Sequence, residues 1–131
     1  MKLVIDASLA LHVCGSQGGL DALDEYELIA PPLMWSETRS VLHGGVWKRL
    51  IEERAALDVL EAIGKAPIKP LSPARLGARA WEIANELGWT KTCDAEYIAL
   101  AAINRCQMVT ADRRMRRGAE RLDIVRLLEE L

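Results

Sequence analysis

Four acidic residues of this chain, Asp6, Glu37, Asp94 and Asp112, stand where packing alone gives a poor account of a carboxylate. Asp6 ends the apolar run Lys2-Leu3-Val4-Ile5, and Asp112 follows a second one, Met108-Val109-Thr110-Ala111. On a 3.6-residue period Glu37 lies close in angle to Met34, Thr38 and Val41, at the rim of an apolar helical stripe. Asp94 opens a helix, Ala95 to Ile103, that is apolar almost all round, and Tyr97, Ile98 and Ala101 share its side. A first-turn aspartate gains about 0.3–1 kcal/mol from the helix dipole. Burying an unpaired charge costs several times more, so a positive group is expected to meet Asp94. At a separation of roughly 6 Å and an effective dielectric of about 20, each pair of carboxylates repels by roughly 3 kcal/mol. A fold that gathers the four must therefore protonate some of them or bind a divalent cation. All-oxygen ligation favours Mg2+ or Mn2+ over Zn2+. A cage of this kind suits cleavage of a phosphodiester.

Each acid also has an ordinary use. Asp6 and Asp112 are well placed as helix N-caps, a role that stabilises by about 1 kcal/mol. Glu37 is long enough to reach water. Ser8 stands where its hydroxyl can bond the Asp6 carboxylate or serve as a first-turn residue. His12 and His43 are isolated and show no metal-ligand spacing.

The elements that must position these residues alternate between strand and helix. Positions 2–6 form a wholly apolar strand, the pattern of a strand covered on both faces. A short helix ends near Gly15, followed by a turn, Gly15-Ser16-Gln17-Gly18-Gly19, that lacks the spacing of a dinucleotide loop. A helical piece is expected at 20–26, a strand at 28–30, and a helix at 33–43 that starts after Pro31-Pro32 and ends or kinks at Gly44-Gly45. The next helix, 47–63, has Leu50, Leu57, Leu60 and Ile63 in phase. A strand near 67–70 follows, then a helix capped by Ser72-Pro73 and closed by Gly88. A helix at 93–104, a strand at 107–110, a helix at 112–120 and a strand at 123–125 complete the chain. The pattern predicts an α/β protein: a central, mainly parallel sheet of four or five short strands with helices on both faces. Ligands of such sheets sit beyond the carboxyl ends of the strands, where strand order reverses. Asp6 and Asp112 both fall at carboxyl ends.

The 131 residues are expected to make a single domain, 1–131, large enough for one core. Half the residues are hydrophobic and the net charge is −2, so no global basic field marks a nucleic-acid-coating protein. Cys14, Cys93 and Cys106 form no C-x-x-C pair and read as reduced thiols of a cytoplasmic protein. No run approaches the ~20 apolar residues of a membrane span, and Asp6 interrupts the first apolar run too early for a signal peptide.

At these residues the chain resembles the PIN-domain nucleases, and more narrowly the VapC-type toxin ribonucleases of type II toxin–antitoxin pairs. The matching segments are Val4-Ile5-Asp6-Ala7-Ser8, Pro32-x-x-x-x-Glu37-x-x-x-Val41-Leu42, Asp94-Ala95-x-Tyr97-Ile98-Ala99-Leu100-Ala101 and Val109-Thr110-Ala111-Asp112. No single one is specific; their order along positions 4–112 is. The resemblance implies a PIN-like fold and metal-dependent RNA cleavage, with Asp6, Glu37, Asp94 and Asp112 holding one or two Mg2+ or Mn2+ ions. It implies polar positions near the metal at Ser8 and Thr110, products with 5′-phosphate and 3′-hydroxyl ends, a homodimer, and a small antitoxin protein as partner. For RNA phosphates the nearest cations in sequence are Arg39, Lys91, Arg113 and Arg114, with Arg116 and Arg117 beyond. Trp35, Trp47, Trp81 and Trp89 are core residues or, on the surface, seats for bases or a partner helix.

Three rivals are weighed. An aspartyl phosphatase needs a second aspartate two positions after Asp6, where this chain has Ser8. A PIN-fold nuclease of RNA processing has the same motifs without a toxin role. An inactive PIN-like binding module has no reason to keep all four acids.

Overall fold

The computed structural model covers residues 1–131. Leu3, Val4 and Ile5 in β1 (Lys2–Ile5), Leu28, Ile29 and Ala30 in β2 (Glu27–Ala30), and Met108, Val109 and Thr110 in β4 (Gln107–Thr110) are consecutive buried positions, as strands covered on both faces require. With β3 (Ile68–Pro70) and β5 (Val125–Leu127) they form one parallel sheet of five strands in the order β3-β2-β1-β4-β5. The helices are α1 (Ala7–Cys14), α2 (Leu33–Trp47), α3 (Glu53–Lys65), α4 (Leu76–Leu87), α5 (Cys93–Asn104) and α6 (Arg113–Gly118). Helices α1, α2 and α3 pack on one another, while α4 packs on α5, and α5 on β1 and β4. Right-handed crossovers put these two groups on opposite faces of the sheet. The chain adds β2 and β3 on one side of β1, then β4 and β5 on the other. The switch point therefore lies between the carboxyl ends of β1 and β4, where Asp6 and Asp112 stand.

The alanine-rich α5 is the most deeply buried helix, with Ala95 and Tyr97 to Ala101 out of contact with solvent. Its small side chains let the backbone lie close to the sheet, and Tyr97 is the largest fully buried side chain of the chain. The tryptophans do not fill the core. Trp47 and Trp81 are 79% and 65% exposed, and Trp35 and Trp89 are only partly covered.

Several boundaries depart from the sequence expectation. Helix α2 does not end at Gly44-Gly45 but continues to Trp47. A Cβ on Gly45 would lie 2.9 Å from Cγ2 of Ile51, so this glycine admits the returning loop rather than breaking the helix. The Leu50 N–H donates to the Gly45 carbonyl at 2.8 Å, and Arg49 takes a positive φ of 59° in the same turn. Helix α3 begins at Glu53, and Leu50 lies outside it, 80% exposed. Ser72 caps nothing: α4 starts at Leu76, after a turn closed by the Leu76 N–H on the Pro73 carbonyl. Only a single 3-10 turn, Asp21–Leu23, forms in the 20–26 segment. The last strand starts at Val125, because Asp123 takes a left-handed conformation (φ 54°) after the 3-10 turn Glu120–Leu122. No helix is long and apolar enough to cross a membrane.

Candidate active site

Asp6 lies at the junction of β1 and α1, only 6% exposed, and its carboxylate accepts three hydrogen bonds. Oδ1 accepts from the Leu9 N–H at 2.9 Å and the Ser8 hydroxyl at 2.8 Å, and Oδ2 accepts from the Thr110 hydroxyl at 2.5 Å. The Ser8 oxygen in turn accepts from the Ala111 N–H at 3.2 Å, and the Thr110 oxygen from the Asp112 N–H at 3.0 Å. Ser8 and Thr110 thus lock the end of β1 to the end of β4. Both are buried or half-buried polar groups whose partners are fully satisfied. Burial pushes the Asp6 carboxyl above its ordinary value, the three hydrogen bonds offset part of the rise, and the charge of Asp94 adds to it.

Asp112 caps α6, its Oδ1 accepting from the N–H groups of Arg114 at 2.9 Å and Met115 at 3.3 Å. Both strand-end aspartates are therefore helix caps, as the ordinary reading has it. Capping occupies a single oxygen of Asp112. The cap role and an open carboxylate coexist.

Glu37 and Asp94 complete the set from opposite faces of the sheet. Glu37 is half-buried on α2, beside the buried Met34 and Thr38, although Val41 is 57% exposed and does not belong to the buried stripe. The phenol of Tyr97 donates a short hydrogen bond to Glu37 Oε1. Asp94 is exposed on the first turn of α5. The expectation of a deeply buried charge at this position is corrected: the first turn projects past the core that the later turns fill. Partial desolvation by the surrounding protein still raises the Asp94 carboxyl, and Asp112 raises it further. Burial, and then the charge of Glu37, do the same to Glu96.

Glu37, Asp94 and Asp112 line one cleft of about 680 Å3, together with Lys91, Arg114 and Trp89. Trp89 forms part of the wall, lying against Gly118 so closely that a Cβ there would come within 3.3 Å of the indole. Asp6 lies within electrostatic reach of Asp94. None of the four acids is in an ion pair; the salt bridges of the molecule are all elsewhere. The donor chemistry fits a hard divalent cation in that Glu37, Asp94 and Asp112 bring carboxylate oxygens to the cleft and neither histidine lines it, alongside the Cys93 thiol and the cations Lys91 and Arg114. The placement is looser than the chemistry: as the side chains stand, no three His, Cys, Asp or Glu residues form a metal-holding group.

The other predicted contacts separate. Lys91 and Arg114 are in the cleft. Arg39 is not: two residues beyond Glu37 on the same helix, it points to a different groove between α2 and α3. Arg113 is turned to the C-terminus, where its guanidinium bonds Glu129 at 2.7 Å. The geometry thus gives no support for Arg39 or Arg113 at the acids. Sequence reasoning overlooked the polar role of Tyr97, which counted only as an apolar neighbour of Asp94. The available signal was a phenol on the buried face of an otherwise apolar helix, since a buried tyrosine hydroxyl needs a partner.

A parallel α/β sheet with unpaired acids at its switch point is the architecture of a protein that handles a charged ligand beyond the ends of its central strands. A family model described as PIN domain matches residues 3–121, and the chain belongs to that family. PIN domains are typically nucleases and generally use divalent metal ions. Among solved structures the chain is similar to PAE2754 from Pyrobaculum aerophilum, with a TM-score of 0.75 and 22% identity over 99% of this chain and 91% of that one. No curated protein matches it.

Proposed function

We propose that the chain is a Mg2+- or Mn2+-dependent endoribonuclease and the toxin of a VapC-type toxin–antitoxin pair. The observation that carries the nuclease reading is the set of four acids at the switch point, all without a basic partner, in a chain of the PIN family. Asp6, Asp94 and Asp112 would hold the cation, and Glu37 would bind a second ion or orient the attacking water as a base. When bound, such an ion supplies Lewis acidity that makes water a better nucleophile near neutral pH and offsets charge developing on the phosphate. Ser8 and Thr110 fix the Asp6 carboxylate through hydrogen bonds, so its orientation needs no reorganisation when substrate arrives. Lys91 and Arg114 flank the acids and are the cations suited to grip the RNA backbone.

The toxin part of the reading draws support from a surface remote from the acids. A groove of about 680 Å3 between α2 and α3 is floored by Leu42, Val46, Leu57 and Leu60 and rimmed by Arg39 and Arg49. Trp47 and Leu57, which line it, are 79% and 45% exposed. Apolar area of that kind marks a protein-binding surface, consistent with a small antitoxin or a second copy of the chain.

The test is cleavage of structured RNAs with and without Mn2+, comparing wild type with Asp6→Asn and Asp94→Asn. Cleavage that needs Mn2+ and disappears in both variants is the expected result. Metal-independent cutting, or full activity in either variant, overturns the mechanism. For the toxin role, expression is expected to arrest growth, and co-expression of a small protein encoded beside the chain to relieve it; growth unaffected by an active nuclease leaves RNA processing as the reading.

A further inference from the structure

Tyr97 links α5 to α2 and to the start of α1. It projects from α5 one turn after Asp94, is 1% exposed, and donates its phenol hydrogen to Glu37 Oε1 on α2. The Ala7 N–H, at the start of α1 and next to Asp6, faces the same phenol oxygen. Burial pushes the Tyr97 hydroxyl above its ordinary range, with Glu37 adding to the rise, so the group is a permanent donor. Glu37 Oε2 has no protein partner, and its residue lines the acid cleft.

From this arrangement we infer that Tyr97 is a positioning residue: its phenol holds Glu37 by one carboxylate oxygen and presents the other to the cation site. The inference rests on the metal-dependent reading above and deepens it. Glu37 needs such an anchor more than the aspartates do. Asp6 is fixed by Leu9, Ser8 and Thr110, and Asp112 by the α6 backbone, whereas Glu37 sits on a longer side chain with no backbone donor. A free glutamate facing Asp94 and Asp112 would swing away from their charge. The phenol resists that swing, and its aromatic ring is itself immobilised by the core. A hydrogen bond to a ligating carboxylate orients it, and losing one typically weakens metal binding or activity 10–100-fold.

A buried tyrosine could equally be a packing residue that happens to find an acceptor, so the test must separate the two roles. Mn2+ binding is measured by calorimetry for wild type, Tyr97→Phe, Glu37→Gln and the double variant, alongside melting without metal. Tyr97→Phe keeps the ring and is expected to fold, because half-exposed Glu37 can be hydrated in its place. It is expected to weaken Mn2+ binding about tenfold, to lower kcat with little change in KM, and to have no further effect in the Glu37→Gln background. Unchanged Mn2+ affinity in Tyr97→Phe, or an equal loss in both backgrounds, overturns the inference. If Tyr97→Phe fails to fold, Glu37→Asp gives the same answer, since the shorter acid cannot reach the phenol: affinity equal to wild type there overturns the inference as well. Wild type that binds Mn2+ without cutting RNA defeats the nuclease reading alone, and wild type that binds no Mn2+ defeats both.

Discussion

The acids gathered at the cleft contrast with six acids of the outer surface that are held in ion pairs. On the surface, Asp58, Glu61, Glu82, Asp123, Glu129 and Glu130 each lie within 3.2 Å of an arginine or lysine. Glu130 is the extreme: the Arg116 guanidinium and the Leu127 N–H lower its carboxyl to about 2. In the cleft, Lys91 and Arg114 are at hand, yet Asp6, Glu37, Asp94 and Asp112 pair with neither. Asp6 and Asp94 are pushed upward by burial first, and then Asp6 by the charge of Asp94 and Asp94 by that of Asp112. Those six carboxylates have basic partners, whereas the four acids of the site, like the exposed Asp21, Asp24, Glu25, Glu27, Glu52, Glu53, Glu86 and Glu120, have none. What sets the four apart is convergence: Glu37, Asp94 and Asp112 line one cleft, and Asp6 lies within electrostatic reach of Asp94.

The largest effect expected of this contrast is in activity. Asp94→Asn should reduce Mn2+-dependent RNA cleavage by more than about a hundred-fold, beyond what groups that only position a ligand contribute. Asp58→Asn, an equal change in charge on the surface, should leave the rate alone. Similar losses from both substitutions would erase the distinction between the two sets.

Next comes metal-linked stability. Millimolar Mn2+ should raise the melting temperature of wild type, because the native state alone gathers the acids, and the rise should vanish in Asp6→Asn. An undiminished rise in that variant would place the cation elsewhere.

The pH dependence sharpens the comparison further, with opposite signs for the two sets. For Asp6 and Asp94 the folded value lies above the unfolded one. The stability tied to their neutral form is therefore full below the unfolded carboxyl pKa and is lost as pH rises through the raised folded value. For Glu61 and Glu130 the folded value is lowered, so their contribution is present above the unfolded pKa and is lost as pH falls toward the folded one. In metal-free buffer, Asp6→Asn should thus raise the melting temperature at neutral pH, where the buried charge opposes folding. The gain should shrink as pH falls through the raised folded value and be gone below the unfolded carboxyl pKa. A destabilised Asp6→Asn at neutral pH would show that the hydrogen bonds outweigh the burial of the charge.

The smallest effects belong to the cations. Arg114→Ala and Lys91→Ala should weaken RNA binding and flatten its salt dependence, read by fluorescence anisotropy across a salt series. Arg39→Ala and Arg113→Ala should not, since the first faces another groove and the second is held by Glu129. Equal effects from all four would return the RNA grip to a diffuse field.

Much of this was readable without coordinates. The apolar runs ending at Asp6 and Asp112, with helices between, predict a parallel sheet and its switch point. The motif order around Asp94 and Glu37 predicts the family. Three features resisted for identifiable reasons. Gly44-Gly45 read as a break because glycine weakens helices, but the space Ile51 needs is a tertiary fact. The alanine-rich run implied a buried Asp94, though periodicity cannot say that the first turn clears the core. The directions of Arg39 and Arg113 depend on rotation about a helix and on a C-terminal partner, neither of which adjacency in sequence records.

The clasp of Asp6, Ser8 and Thr110 joins residues more than a hundred positions apart. With β4 still unsynthesised, the Asp6 carboxylate lacks the Thr110 hydroxyl that holds it, so the proposed site is incomplete. A fragment ending at Asn104 should accordingly cut nothing, even where the earlier helices form. The long-range clasp would make the proposed cutting depend on β4, whose Thr110 is synthesised more than a hundred residues after Asp6.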